Sequence, residues 1–149
     1  MRRGLWCAAA ALCSLPLVTG VARADDAKIE PGQWQVTAKN VINGAADQPT
    51  VRPRCITPEQ AGDLTKTFGP SVGTVNSTCK PPEFETAGRK LRWKLECRGQ
   101  MDMAVVGEFD FDTPTHYTAT IASKAWMAGS LMSDVTTNVE AARIGECQP

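Results

Sequence analysis

The stretch from Lys90 to Phe111 constrains the fold more than any other part of this chain. Leu91, Trp93, Leu95 and Cys97 occupy odd positions, and Lys90, Arg92, Lys94 and Glu96 occupy the even ones. Successive side chains of a strand point to opposite faces, so this alternation predicts a strand with one buried side. The pattern resumes almost at once. Met101, Met103, Val105, Phe109 and Phe111 share one parity, while Asp102, Glu108 and Asp110 share the other. Two such runs predict an antiparallel hairpin. Both apolar sets reach one core only if paired residue numbers sum to an even value. A sum of 198 sets Glu96 against Asp102, and like charges directly opposite are unfavourable. A sum of 200 opposes Lys90 to Asp110 and Arg92 to Glu108, sets Leu91 against Phe109 and lays Trp93 over Gly107. That register is preferred, with a loop at residues 98–102. An aromatic ring over a strand glycine repairs an otherwise weak position.

The chain has 149 residues, enough for one domain. Met1-Arg2-Arg3 precedes an apolar run from Leu5 to Val18, and Ala22-Arg23-Ala24 follows. This order reads as a secretory leader, residues 1–24, cut after Ala24. The apolar run is too short for a comfortable membrane span, so none is expected after cleavage. The remainder, residues 25–149, reads as a single β-rich domain bound for the periplasm. Loss of Arg2, Arg3 and Arg23 changes 16 basic and 16 acidic residues to 13 and 16, a charge of −3. No basic patch suggests a nucleic-acid partner.

Four cysteines remain beyond the leader: Cys55, Cys79, Cys97 and Cys147. An even number in an exported chain implies two disulfides, with three connectivities open. No Cys-x-x-Cys spacing points to zinc or thiol redox chemistry. The preferred pairing is Cys55–Cys79 with Cys97–Cys147. The first would clamp a local excursion, and the second would tie the chain end to the central hairpin.

The rest of the chain supplies further strands. Pro31-Gly32 is a turn, and Gln33 to Lys39 is a strand with Trp34, Val36 and Ala38 inward. Asn43-Gly44 is a turn, and Thr50 to Cys55 is a strand that Pro53 confines to an edge or bulge. Thr57-Pro58-Glu59-Gln60 is a capping box with Pro at the first helical position, so a short helix should run to about Lys66. Further strands are expected at Glu83 to Thr86, at His116 to Ser123 and around Leu131, Val135 and Val139. Consecutive strands with short turns imply a curved antiparallel meander, up to a half-barrel, with one short helix and two disulfides.

Several of these segments together resemble a known family. They are Pro31-Gly32-Gln33-Trp34, Cys55-Ile56-Thr57-Pro58-Glu59, Trp93-Lys94-Leu95-Glu96-Cys97, Gly107-Glu108-Phe109 and Arg143-Ile144-Gly145-Glu146-Cys147. The set resembles a family of small exported bacterial proteins filed as a domain of unknown function, number thirty-six seventeen. The resemblance implies a location and a fold but no activity, so it assigns no catalytic residue. Relatives typically carry Glu where this chain has Gln35, and Arg where it has Ala142. If those two side chains pair in relatives, this chain lacks the pair.

Chemistry-bearing residues are sparse. His116 is the only histidine, no Gly-x-Ser-x-Gly elbow accompanies it, and the cysteines are expected to be oxidised. Asp110, Asp112 and His116 do not have the spacing of a calcium loop. No catalytic residue and no cofactor is therefore assigned. Met101, Met103, Met127 and Met132 supply four thioethers, the donor type that selects copper(I); the alternative is that they fill a core edge. Trp126 and Met127 lie among small residues and would make a sticky patch for an apolar small molecule or an envelope protein. A curved sheet with one apolar face can also enclose a lipophilic pocket. The reading is a non-catalytic exported protein, a binding or envelope-interaction module, with copper(I) handling and an unrecognised hydrolase as the alternatives.

Overall fold

The structure is a computed structural model that describes residues 26–71 and 76–148. The leader reading at residues 1–24 lies outside them. Nine strands and two short helices follow in chain order: β1 (Gly32–Ile42), β2 (Ala45–Ala46), β3 (Thr50–Ile56), α1 (Pro58–Gly62), α2 (Leu64–Phe68), β4 (Ser77–Cys79), β5 (Glu83–Ala87), β6 (Lys90–Gly99), β7 (Met101–Thr113), β8 (His116–Met127) and β9 (Ser130–Gly145). All strand pairs are antiparallel. They form one open sheet in the order β2-β1-β9-β8-β7-β6-β4, with β3 also on β1 and β5 also on β6.

The central hairpin adopts the register that sums to 200. Lys90 opposes Asp110, Arg92 opposes Glu108, Leu91 opposes Phe109 and Trp93 opposes Gly107. The strands run further than alternation alone suggested, leaving only Gln100 between β6 and β7. Asp102 closes this tight turn, accepting from the Gly99 amide at 3.2 Å and from Arg98 at 3.0 Å.

The order of the outer strands departs from a simple meander. Strands β6 to β9 follow one another, but β1 then joins the free edge of β9, pairing from Gln33↔Gly145 to Ile42↔Val135. The chain therefore leaves the sheet at the β3 edge and resumes at the β4–β5 edge. In between, the segment from Ala61 to Ser71 packs on the apolar face. The expected helix occupies this crossing as two single turns. Thr57 and Gln60 form the capping box, and Asp63 ends α1 with a non-helical backbone before its own side chain caps Lys66 in α2.

Phe68, at the end of α2, is the centre of the core. Its ring lies 5.3 Å from Phe109, 5.2 Å from Phe111 and 5.1 Å from Tyr117, and the Trp34 ring lies tilted against Tyr117 at 5.4 Å. The Trp93 indole N–H donates to the Phe68 carbonyl at 2.8 Å, which pins the crossing segment to the sheet.

The preferred disulfide pairing is incorrect. The bridges are Cys55–Cys147 and Cys79–Cys97. The cause is the position of β1. Gln33 pairs with Cys55 on one side and with Gly145 on the other, so the chain end emerges beside β3 rather than beside the central hairpin. Cys79 and Cys97 are directly opposed residues of β4 and β6, with Cα atoms 3.9 Å apart.

Candidate functional site: a cleft beneath the crossing segment

A twisted sheet is saddle-shaped, and each face is hollow along one diagonal. Both faces here carry a hollow. The first, about 600 Å³, is a trough across the charged face between two rows of side chains. One row includes Lys90, Asp110, Thr118 and Glu140; the other includes Arg92, Glu108, Thr120 and Asn138. Its charges are largely matched across strands, with Arg92 to Glu108 at 3.0 Å and Lys90 to Asp110 at 3.8 Å. These pairs are solvated, but one Asp110 carboxylate oxygen on the trough is buried without a hydrogen-bond partner.

The second hollow, about 350 Å³, lies on the apolar face beneath α2. Val36, Val105, Ile121 and Val139 line it from the sheet, and Phe68 with residues 69–71 lines it from the crossing segment. The core residues beyond Phe68 are closed, but Val36, Ile121 and Val139 remain only partly buried. The crossing segment thus covers one end of the apolar face and leaves the next rows open. Two polar groups converge there. Arg54 donates to the Thr67 carbonyl at 3.1 Å, and its guanidinium carbon sits 5.1 Å from the centre of the Phe68 ring. Burial pushes the Tyr117 phenol above its ordinary value, while the charge and hydrogen bond of Arg54 pull it the other way. The hydroxyl is therefore a neutral hydrogen-bonding group beside a fixed cation. Arg54 was not singled out in the sequence, which offered a lipophilic pocket on the apolar face without naming its lining. The signal for Arg54 was its inward parity with Cys55 outward on an edge strand, which is weak because exposed arginines are common there.

The residues that the sequence did single out are distributed as follows. Trp126 and Met127 do not form one patch, because adjacent strand residues point to opposite faces. Trp126 opposes Asp102 and Leu131, whereas Met127 opposes Met101. Met103 lies two residues from Met101 on the same face. Met132 is left out of the ladder at a bulge, between Leu131↔Trp126 and Ser133↔Ala125.

His116 sits near the end of the charged face. Its Nδ1 is 2.7 Å from Asp112, and its Nε2 is 3.7 Å from Glu140. Asp110 points instead to Lys90. The hydrogen bond to Asp112 holds the His116 pKa above its ordinary 6.5, and the same bond holds Asp112 below 3.8. A raised histidine stabilises the fold fully below 6.5 and loses that contribution as pH rises through the folded value. A depressed aspartate contributes above 3.8 and loses it as pH falls through the folded value. The pair therefore contributes most between the two. His116→Gln is expected to flatten the fall in stability as pH climbs above 6.5, read from denaturation midpoints across pH. An unchanged profile would show that the pair is too well solvated to matter.

The fold and cleft define a class: a disulfide-locked open β-sheet with a helical strap over one end of its apolar face. Among the described residues no helix is long and apolar enough to cross a membrane. The chain belongs to the family described as protein of unknown function, DUF3617, whose pattern matches residues 29–147. No curated protein and no solved structure matches the chain.

Proposed function

We propose that this chain is a periplasmic, non-catalytic binding protein that holds a small amphipathic molecule in the cleft beneath α2. The observation that carries this reading is the convergence of Arg54 and the Tyr117 hydroxyl on an apolar hollow of about 350 Å³. Ligand pockets combine an apolar lining with a few placed polar groups, and they start at about this size. The apolar body would lie on Val105, Ile121 and Val139, and an anionic end would face Arg54. Two disulfides support a non-reducing compartment for the folded chain. The leader reading, with a cut after Ala24, supplies a route to the periplasm. A hydrolase reading finds less support, because both His116 ring nitrogens face carboxylates and all four cysteines of the domain are bridged.

A dansylated medium-chain fatty acid tests the proposal by titration. Saturable binding is expected. Ile121→Trp, which fills the cleft, should abolish it while leaving the circular dichroism spectrum intact. Arg54→Met should weaken the carboxylate probe at least tenfold and its methyl ester much less. Equal binding by the wild type and Ile121→Trp would overturn the reading, as would no binding by the wild type.

A further inference from the structure

The far end of the apolar face, beyond the cleft, carries a cluster that the proposed binding role does not use. Met101 and Met127 are directly opposed across β7 and β8, and Met103 opposes Ala125 one pair further along the same face. Directly opposed Cβ atoms lie about 4.5–5.5 Å apart and diagonal neighbours about 7–8 Å, within reach of long side chains. Methionine has three rotatable bonds, so three thioethers here can turn toward one point. Met127 is 45% exposed, and Met101 and Met103 are half-buried, which leaves the cluster accessible from solvent.

The surroundings remove the competing donors. On this face the neighbours are Ala125, Ser130, Ser133 and the bridged Cys97. The carboxylates of this end lie on the opposite face and are held there, Asp102 by Arg98 at 3.0 Å and Asp134 by Lys124 at 2.9 Å. His116 is at the other end of β8. A donor set made only of thioethers suits soft monovalent ions and gives zinc(II) or copper(II) little to bind.

We propose that Met101, Met103 and Met127 form a three-thioether site for copper(I). The test uses the disulfide-intact protein, titrated anaerobically with copper(I) supplied as its acetonitrile complex, and separately with silver(I) as a redox-silent stand-in. One equivalent should bind with a dissociation constant below micromolar, and the methyl resonances of Met101, Met103 and Met127 should shift with silver(I). Leucine conserves volume at methionine positions, so the fold should persist. Each of Met101→Leu, Met103→Leu and Met127→Leu should weaken binding at least tenfold. Met132→Leu and Ile121→Trp should leave it within twofold, which separates this site from the cleft. Binding no tighter than micromolar overturns the proposal, as does unchanged affinity in the triple leucine variant.

Discussion

Replacing Cys55 and Cys147 together with alanine is expected to remove about 4–5 kcal/mol of stability, from loop-closure entropy across a sequence separation of 92 residues. The Cys79/Cys97 double replacement closes a separation of only 18 residues and should remove about 3 kcal/mol. A small domain has only roughly 5–15 kcal/mol in total, so the first variant stands near the threshold of folding. Urea denaturation of the two double variants checks the order. Equal losses, or a larger loss from the shorter loop, would mean that unfolded-state entropy does not govern these bridges. The first bridge also fixes β3 and the chain end around β1 at Gln33, so its loss should free the β3 edge first.

The second large effect is expected at Gly107. A Cβ there would lie 2.3 Å and 2.4 Å from ring carbons of Trp93 and 2.7 Å from its Nε1. The indole cannot easily retreat, because its N–H is bonded to the Phe68 carbonyl. Gly107→Ala should therefore cost about 2–3 kcal/mol by overpacking, a fall in Tm of roughly 5–15 °C for a domain of this size. The position has no left-handed backbone, so the cost is steric. A double-mutant cycle isolates it. In a Trp93→Leu background the same alanine should be nearly neutral. If Gly107→Ala is as costly there as in the wild type, contact with the indole is not the cause.

Much of the sheet was legible because period-2 alternation is a local signal. The Lys90–Asp110 register followed from parity and from the charge conflict that a two-unit shift creates at Glu96 and Asp102. The capping box at Thr57 was equally local, and Asp63 divided the helix because its side chain offers a second cap. What could not be read was strand order at the ends. No turn signals that β1 pairs with β9, because nearly the whole chain separates them. That one pairing decided the disulfides. It also sets Gln35 directly against Ala142, the two positions that the family resemblance had linked as a pair expected in relatives. The lining of the cleft was out of reach for a related reason. It depends on where the crossing segment stops on the apolar face, and Arg54 and Tyr117 meet there only through tertiary packing. Four methionines were named for their chemistry, but that Met101 and Met127 directly oppose each other depended on the β7–β8 register.

The position of β1 between β3 and β9 also sets an order of events during biogenesis. β1 can be zipped on one side as soon as β3 exists, yet its other edge waits for the residues of β9. Until they arrive, the growing chain holds an unsealed sheet, and non-local closure of this kind is slow.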